Sequence, residues 1–174
     1  MTLDIPNAYI QVSVPLQEVG SRILMKVRGD LVEWLCQINP ASYAPYVVIE
    51  RRMKVLYLQV TKAIYGMLQA GLFWYRKLRS DLEVGFVFNN YDPCVVNWMK
   101  KGDQHTIRSH IDDVLLSHVN VSVTDEFVEW CQSKYGDLKD ISVCRRKIHQ
   151  FLGMTLDFLT DGECKFKQFN TLTT

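Results

Sequence analysis

Apolar residues in this chain recur with two periods, near 2 and near 3.6, and the switches between them outline the elements. "MTLDIPNAYIQVSV" alternates weakly up to Pro15 and reads as a strand at the very start. A domain seldom begins inside such an element, so Met1 reads as an arbitrary boundary. "RILMKVRG" is a second strand, broken at Gly29. "DLVEWLCQIN" switches to helical spacing, with Asp30 placed to cap it and Pro40 to stop it. "KVLYLQVTKAIYG" is a β-rich run closing at Gly66.

In "LQAGLFWYRKLRSDLEVG" the apolar positions Leu68, Leu72, Tyr75, Leu78 and Leu82 form a helical stripe ended by Gly85. "CVVNWMKKGDQHTIRSHI" reads as a hairpin turning at Lys101-Gly102-Asp103, where glycine supplies a positive φ. "VLLSHV" is a further strand. A second helix follows, capped by Ser122 or Thr124, with Phe127, Val128 and Cys131 inward and Gly136 at its end. "RKIHQFLGMTLDFLTDGECKFKQF" supplies short closing strands, with one hairpin turning at Asp161-Gly162. The sum is α+β: a mostly antiparallel sheet with helices on one face.

The 174 residues suffice for one domain with a real core, and 48% hydrophobic content excludes a disordered chain. No apolar run approaches the ~18 residues of a membrane span, and the reading includes no membrane partner. Five cysteines, none in a CxxC pair, suggest neither a zinc site nor a disulfide framework, and place the chain in a reducing, intracellular setting. A net charge of +1 says nothing for or against nucleic acid. The basic clusters at Arg51–Arg52–Lys54, Arg76–Lys77–Arg79, Lys100–Lys101 and Arg145–Arg146–Lys147 read either as solvated faces or as phosphate-facing surface.

Within "IRSHIDDVLLSH", Asp112 and Asp113 stand side by side between Ile111 and Val114, with no glycine near. Adjacent carboxylates repel, and desolvation worsens the repulsion. Ordinary turn aspartates are framed by polar residues and glycine, so two readings stay open: a plain turn, or a site for divalent cations. Mg²⁺ takes hard oxygen ligands, and two such ions can clamp a phosphoryl displacement. A third carboxylate is then needed from a neighbouring strand, and Asp4, in the apolar "LDIPNAY", is apt.

Four segments, "LDIPNAYIQ", "KAIYGMLQAGLFWYRKL", "SHIDDVLLS" and "HQFLGMTLDF", occur in that order. Together they resemble the reverse transcriptase of copia-type LTR retrotransposons, over about residues 2 to 160. The resemblance implies a polymerase palm with part of the fingers in a single domain over residues 1–174. The upstream fingers strands, the thumb and the RNase H region would lie outside it. It also implies RNA-directed DNA polymerase activity using two Mg²⁺ ions, with Mn²⁺ as a possible substitute. The partners would be an RNA template, a DNA or RNA primer, dNTPs and the rest of the Pol polyprotein. The location would be intracellular, in a cytoplasmic virus-like particle.

By the same resemblance, Asp4, Asp112 and Asp113 are the catalytic, metal-binding triad. Tyr9, Gln69 and Ile5 are nucleotide-binding positions. Tyr9 would be the aromatic wall that excludes a 2′-hydroxyl; its residue-level alternative is a core tyrosine. Gln69 would lie by the incoming nucleotide, or be a polar residue at a helix start. Phe151, Leu152 and Gly153 match the primer grip, or a plain core strand, and His110 would lie against the primer terminus. Lys147 aligns loosely with a lysine near the triphosphate and reads better as a surface residue.

The chain departs from the family pattern at His110, where tyrosine is usual, and at Gly71, which replaces a proline and loosens the helix start. Two rivals remain. One is a catalytically inactive nucleic-acid-binding remnant, against which the intact carboxylates argue. The other is a different two-metal palm enzyme such as a nucleotidyl cyclase, which would have no primer for the "FLGM" hairpin to grip.

Overall fold

A computed structural model describes residues 1–15, 22–159 and 162–168. The chain divides into two compact units: Met1–Val12 with Ile64–Thr174, and Ser13–Ala63.

The smaller unit is a three-stranded antiparallel sheet in the order β2-β4-β3. Its strands are β2 (Leu24–Arg28), β3 (Val48–Glu50) and β4 (Met53–Gln59), and it carries two helices, α1 (Asp30–Ile38) and α2 (Pro40–Tyr43). Val32 of α1 is buried against Val27 and Leu56, with Leu35 and Cys36 beside it. This is the i, i+3, i+4 spacing of one helix face. Gly29 rather than Asp30 occupies the cap position of α1. Pro40 opens α2, where its missing N–H is no loss, and the Asn39 side chain accepts the Ser42 N–H at 3.1 Å.

The larger unit holds a six-stranded sheet in the order β5-β6-β7-β8-β1-β9. The strands are β1 (Thr2–Asp4), β5 (Val87–Phe88), β6 (Val95–Lys100), β7 (Asp103–His110), β8 (Asp113–Ser117) and β9 (Ser142–Cys144). Beside it lie α3 (Ala70–Leu82), α4 (Val121–Tyr135) and a second sheet of β10 (Ile148–Phe151), β11 (Met154–Asp157) and β12 (Lys165–Gln168). Every strand pairing among the described residues is antiparallel.

Registers divide the six-stranded sheet into two faces. Val96, Ile107 and Leu116 pair across three strands, and Leu3 pairs with Val114; all five are buried. His105 shares this face and its ring meets Phe127 of α4, while α4 in turn meets α3 through Tyr135 and Trp74. Both helices therefore cover the apolar face, leaving Asp4, Asp113, His110 and Arg108 together on the other.

Several expected elements are corrected. The opening strand is only Thr2–Asp4, because Pro6 and left-handed Asn7 (φ 55°) turn the chain into a 3₁₀ segment at Ala8–Gln11. The buried stripe of α3 is Ala70, Trp74, Leu78 and Leu82, whereas Leu68 and Leu72 are exposed. Trp74 sets this phase, since an indole has more apolar area to bury than either leucine. Gly85 does not cap α3; a Cβ there would lie 2.9 Å from the Trp98 ring, so packing requires the glycine. Asn120, not Ser122 or Thr124, caps α4 by accepting the Ser122 N–H, and Val128 is only half-buried. Asp161 of the expected last turn lies outside the described residues.

Candidate active site

The two aspartates lie where β7 turns back into β8. His110 pairs with Asp113, so Ile111 and Asp112 form a two-residue turn. Ile111 takes φ 53°, a conformation that a β-branched residue adopts only under constraint. Two contacts supply that constraint. The Trp74 indole N–H donates to the Ile111 carbonyl at 2.6 Å, and the Ile5 N–H donates to the Asp112 carbonyl at 2.9 Å.

That second bond belongs to β1, whose register sets Asp4 directly opposite Asp113. Asp4, Asp113 and His110 thus form one row across three adjacent strands, with Asp112 in the turn that joins two of them. Like charges directly opposed in a sheet are destabilising. Burial and then the Asp112 charge push the Asp4 carboxyl above the usual carboxylate range, with Lys139 opposing. Burial, Asp112 and Asp4 do the same to Asp113, with His110 opposing. Among the described residues, no three His, Cys, Asp or Glu side chains gather into a ready-made metal-ligand group. Mg²⁺ commonly takes only one or two protein carboxylates, with water and substrate phosphates completing its shell.

Aromatic rings flank the row. Tyr9, in the 3₁₀ segment, lies 4.6 Å from Tyr65 between ring centres, and the Tyr65 hydroxyl is 3.5 Å from an Asp112 carboxylate oxygen. The start of α3 is adjacent: a Cβ at Gly71 would stand 3.8 Å from the Tyr9 hydroxyl. That is ordinary contact, so space alone does not demand glycine here. Gln69 is exposed at the cap position of α3, and its side chain does not cap the helix.

Ile5 is different. Its side chain is fully buried, so a nucleotide contact through it is closed, and it serves the site through its backbone N–H. Leu152 (φ 52°) and Gly153 (φ 72°) form the two-residue turn between β10 and β11, a backbone suited to a tight hairpin. Phe151, just before that turn, is buried, and the Arg108 guanidinium lies 5.9 Å from its ring centre. Lys147 is exposed.

Three residues at this site were not singled out by the sequence reading. Tyr65 lies inside the quoted "KAIYGM", beside Gly66, but nothing local says that its hydroxyl reaches Asp112. Trp74 looked like one more position near a helical stripe. Arg108 lies outside every basic cluster.

A family model described as reverse transcriptase (RNA-dependent DNA polymerase) matches residues 29–173. Asp112, Asp113, Gln69 and the Phe151–Gly153 turn lie within the match, whereas Asp4, Ile5 and Tyr9 join the site through the register and contacts of the N-terminal segment. No match was found among curated proteins or among solved structures. With its two adjacent aspartates on a strand turn and a match over most of its length, the chain belongs to the reverse transcriptase (RNA-dependent DNA polymerase) family.

Proposed function

We propose that this chain carries the nucleotidyl-transfer site of a copia-type retrotransposon reverse transcriptase, within a larger Pol polyprotein. The observation that carries the reading is the row Asp4–Asp113–His110 on the face of the sheet away from the helices, with Asp112 in the adjoining turn. In the proposed reaction the primer 3′-oxygen bonds to the α-phosphorus of a dNTP, and the bond to pyrophosphate breaks. Asp4, Asp112 and Asp113 would hold two Mg²⁺ ions, which when bound lower the pKa of the 3′-hydroxyl and neutralise charge on the triphosphate.

The chain's own part is position and exclusion. The antiparallel register holds Asp4 and Asp113 side by side before substrate arrives. Tyr9, backed by Tyr65, would be the wall beneath the sugar that clashes with a 2′-hydroxyl, a discrimination built against the competitor. Gln69 would meet the incoming nucleotide at the start of α3. The Phe151–Gly153 turn would hold the primer end, with His110 against its terminus. Template sequence is read by base pairing, so protein contacts go mainly to backbone.

The test is extension of a labelled primer on an RNA template with dNTPs and Mg²⁺. Incorporation should depend on all three and vanish in Asp4→Asn with the fold retained by circular dichroism. Incorporation undiminished in Asp4→Asn would refute the assignment.

A further inference from the structure

Cationic side chains of the larger unit fall into two groups. Many are spent on neighbouring acids: Lys77 and Lys134 on Asp81, Arg79 on Glu83, Lys100 and Lys101 on Glu126, and Arg145 on Asp125. Those are largely the residues of the basic clusters, and the solvated-face reading accounts for them. Arg108 is of the other kind. Its side chain is exposed, and among the described residues its guanidinium has no hydrogen-bond or ion-pair partner.

Position separates Arg108 from other exposed cations. It lies on β7 two residues before His110, and strand alternation puts both on the face that carries Asp4 and Asp113. Two strand residues span about 6.8 Å, so Arg108 stands one step from the carboxylate row. The Phe151 ring beneath its guanidinium restricts where the charge can go. Phe151 is itself held at the mouth of the Leu152-Gly153 turn. An arginine presents a planar fork of donors that matches phosphate oxygens. Here that fork has no acid to satisfy it, on a surface where acidic groups otherwise gather.

We infer that Arg108 is a phosphate contact for the primer strand, gripping a phosphodiester within the first few linkages from the 3′ end while Phe151 holds its guanidinium in place. The inference rests on the polymerase reading above, because it takes the primer terminus to lie at the carboxylate row. It adds a contact that counterbalances the carboxylates: the negative strand is drawn to a fixed positive charge one step behind the site.

The test uses the whole chain and a primer–template duplex in EDTA, so that binding is read without chemistry. Arg108→Gln should weaken binding about tenfold at low salt, and the slope of log affinity against log salt should fall by about one. Arg108→Lys should recover the slope but not all of the affinity, since it keeps the charge and loses the fork. A scan from the ligand side avoids dependence on how the variants fold. One methylphosphonate linkage is moved through the first four linkages of the primer. At one position it should weaken the wild-type chain about tenfold and leave Arg108→Gln unaffected. If no position does so, or if Arg108→Gln keeps the wild-type salt slope, the contact is refuted while RNA-templated extension would still stand. If the wild-type chain binds no duplex and extends no primer, the polymerase reading falls and the contact with it.

Discussion

Strand β7 is bounded by two tight turns of the same length and opposite character. At one end Lys101 and Gly102 join β6 to β7, with φ 52° and 89°, in an exposed loop whose second residue is glycine. At the other end Ile111 and Asp112 join β7 to β8, with φ 53° on a β-branched residue and a carboxylate next to it. The first turn has the residues its backbone asks for. The second has an unfavourable residue in an unfavourable conformation, beside charges that repel, and is held there by Trp74 and Ile5. What the pair teaches is where local preference governs and where packing overrules it. A turn that only reverses the chain keeps the residues that fold it most easily. The turn that carries the paired aspartates is fixed from outside, by elements distant in sequence.

The contrast is tested most severely by its aspartates. Asp112→Asn should reduce primer extension by about 10³-fold or more, a loss at least as large as that of a strong transition-state donor. Asp103→Asn, beside the ordinary turn, should leave extension within about twofold of wild type, as expected for a surface change away from the chemistry. Single-turnover extension measures both. Equal losses would mean that the Ile111-Asp112 turn has no special part in the reaction.

A smaller effect separates the backbones. Gly102→Val should cost about 1–2 kcal/mol, because glycine alone takes that left-handed conformation without strain. Ile111→Gly should change stability by less than about 1 kcal/mol, since relief at φ 53° offsets the lost side chain. Urea denaturation reads the difference, and a Gly102→Val chain as stable as wild type would remove the asymmetry.

The smallest effect is in pH. Asp113 has its folded carboxyl pushed up by burial, Asp112 and Asp4. A raised carboxyl favours the folded state when protonated, so its favourable contribution is complete below the ordinary carboxylate pKa and is lost as pH rises through the folded value. In metal-free buffer Asp113→Asn should therefore match wild type near pH 3 and melt higher at pH 7. His105 works in the opposite direction. Burial, chiefly, pushes it down to about 4, so its contribution to stability is lost as pH falls from about 6.5 towards 4. Because both chains keep His105, the difference between their melting curves isolates the aspartate. A constant difference across the range would show that the carboxylate row carries no unrelieved repulsion.

Much of this was readable from residues in order. Lys101-Gly102 specified its hairpin by turn chemistry, and the aspartate pair in an apolar frame located the other turn. Spacing found α1 and α4. Reading failed once on a local signal passed over, and elsewhere where a long-range contact decided. Pro6 and Asn7 ended the first strand after three residues, although the apolar alternation runs on. The stripe of α3 followed Trp74, because the indole packs on Tyr135 and reaches the Ile111 carbonyl. Ile5 buries its side chain in the core and meets the aspartate turn through its backbone N–H. Tyr65 and Arg108 owe their positions to a 3₁₀ segment and a hairpin elsewhere in the chain. His105 is buried with neither ring nitrogen hydrogen-bonded among the described residues, a placement no local rule anticipates.

The position of β1 has a consequence for synthesis. It is an interior strand, flanked by β8 and β9, yet both partners are translated more than a hundred residues after it. At ordinary ribosomal speed that is a wait of roughly five to thirty seconds. During it the segment bearing Asp4 waits without β8 and β9, and its brevity limits what else can pair with it. The pairing of Asp4 with Asp113 therefore cannot build up gradually as the chain emerges. It arrives late and at once, when a strand made early is captured by strands made more than a hundred residues later.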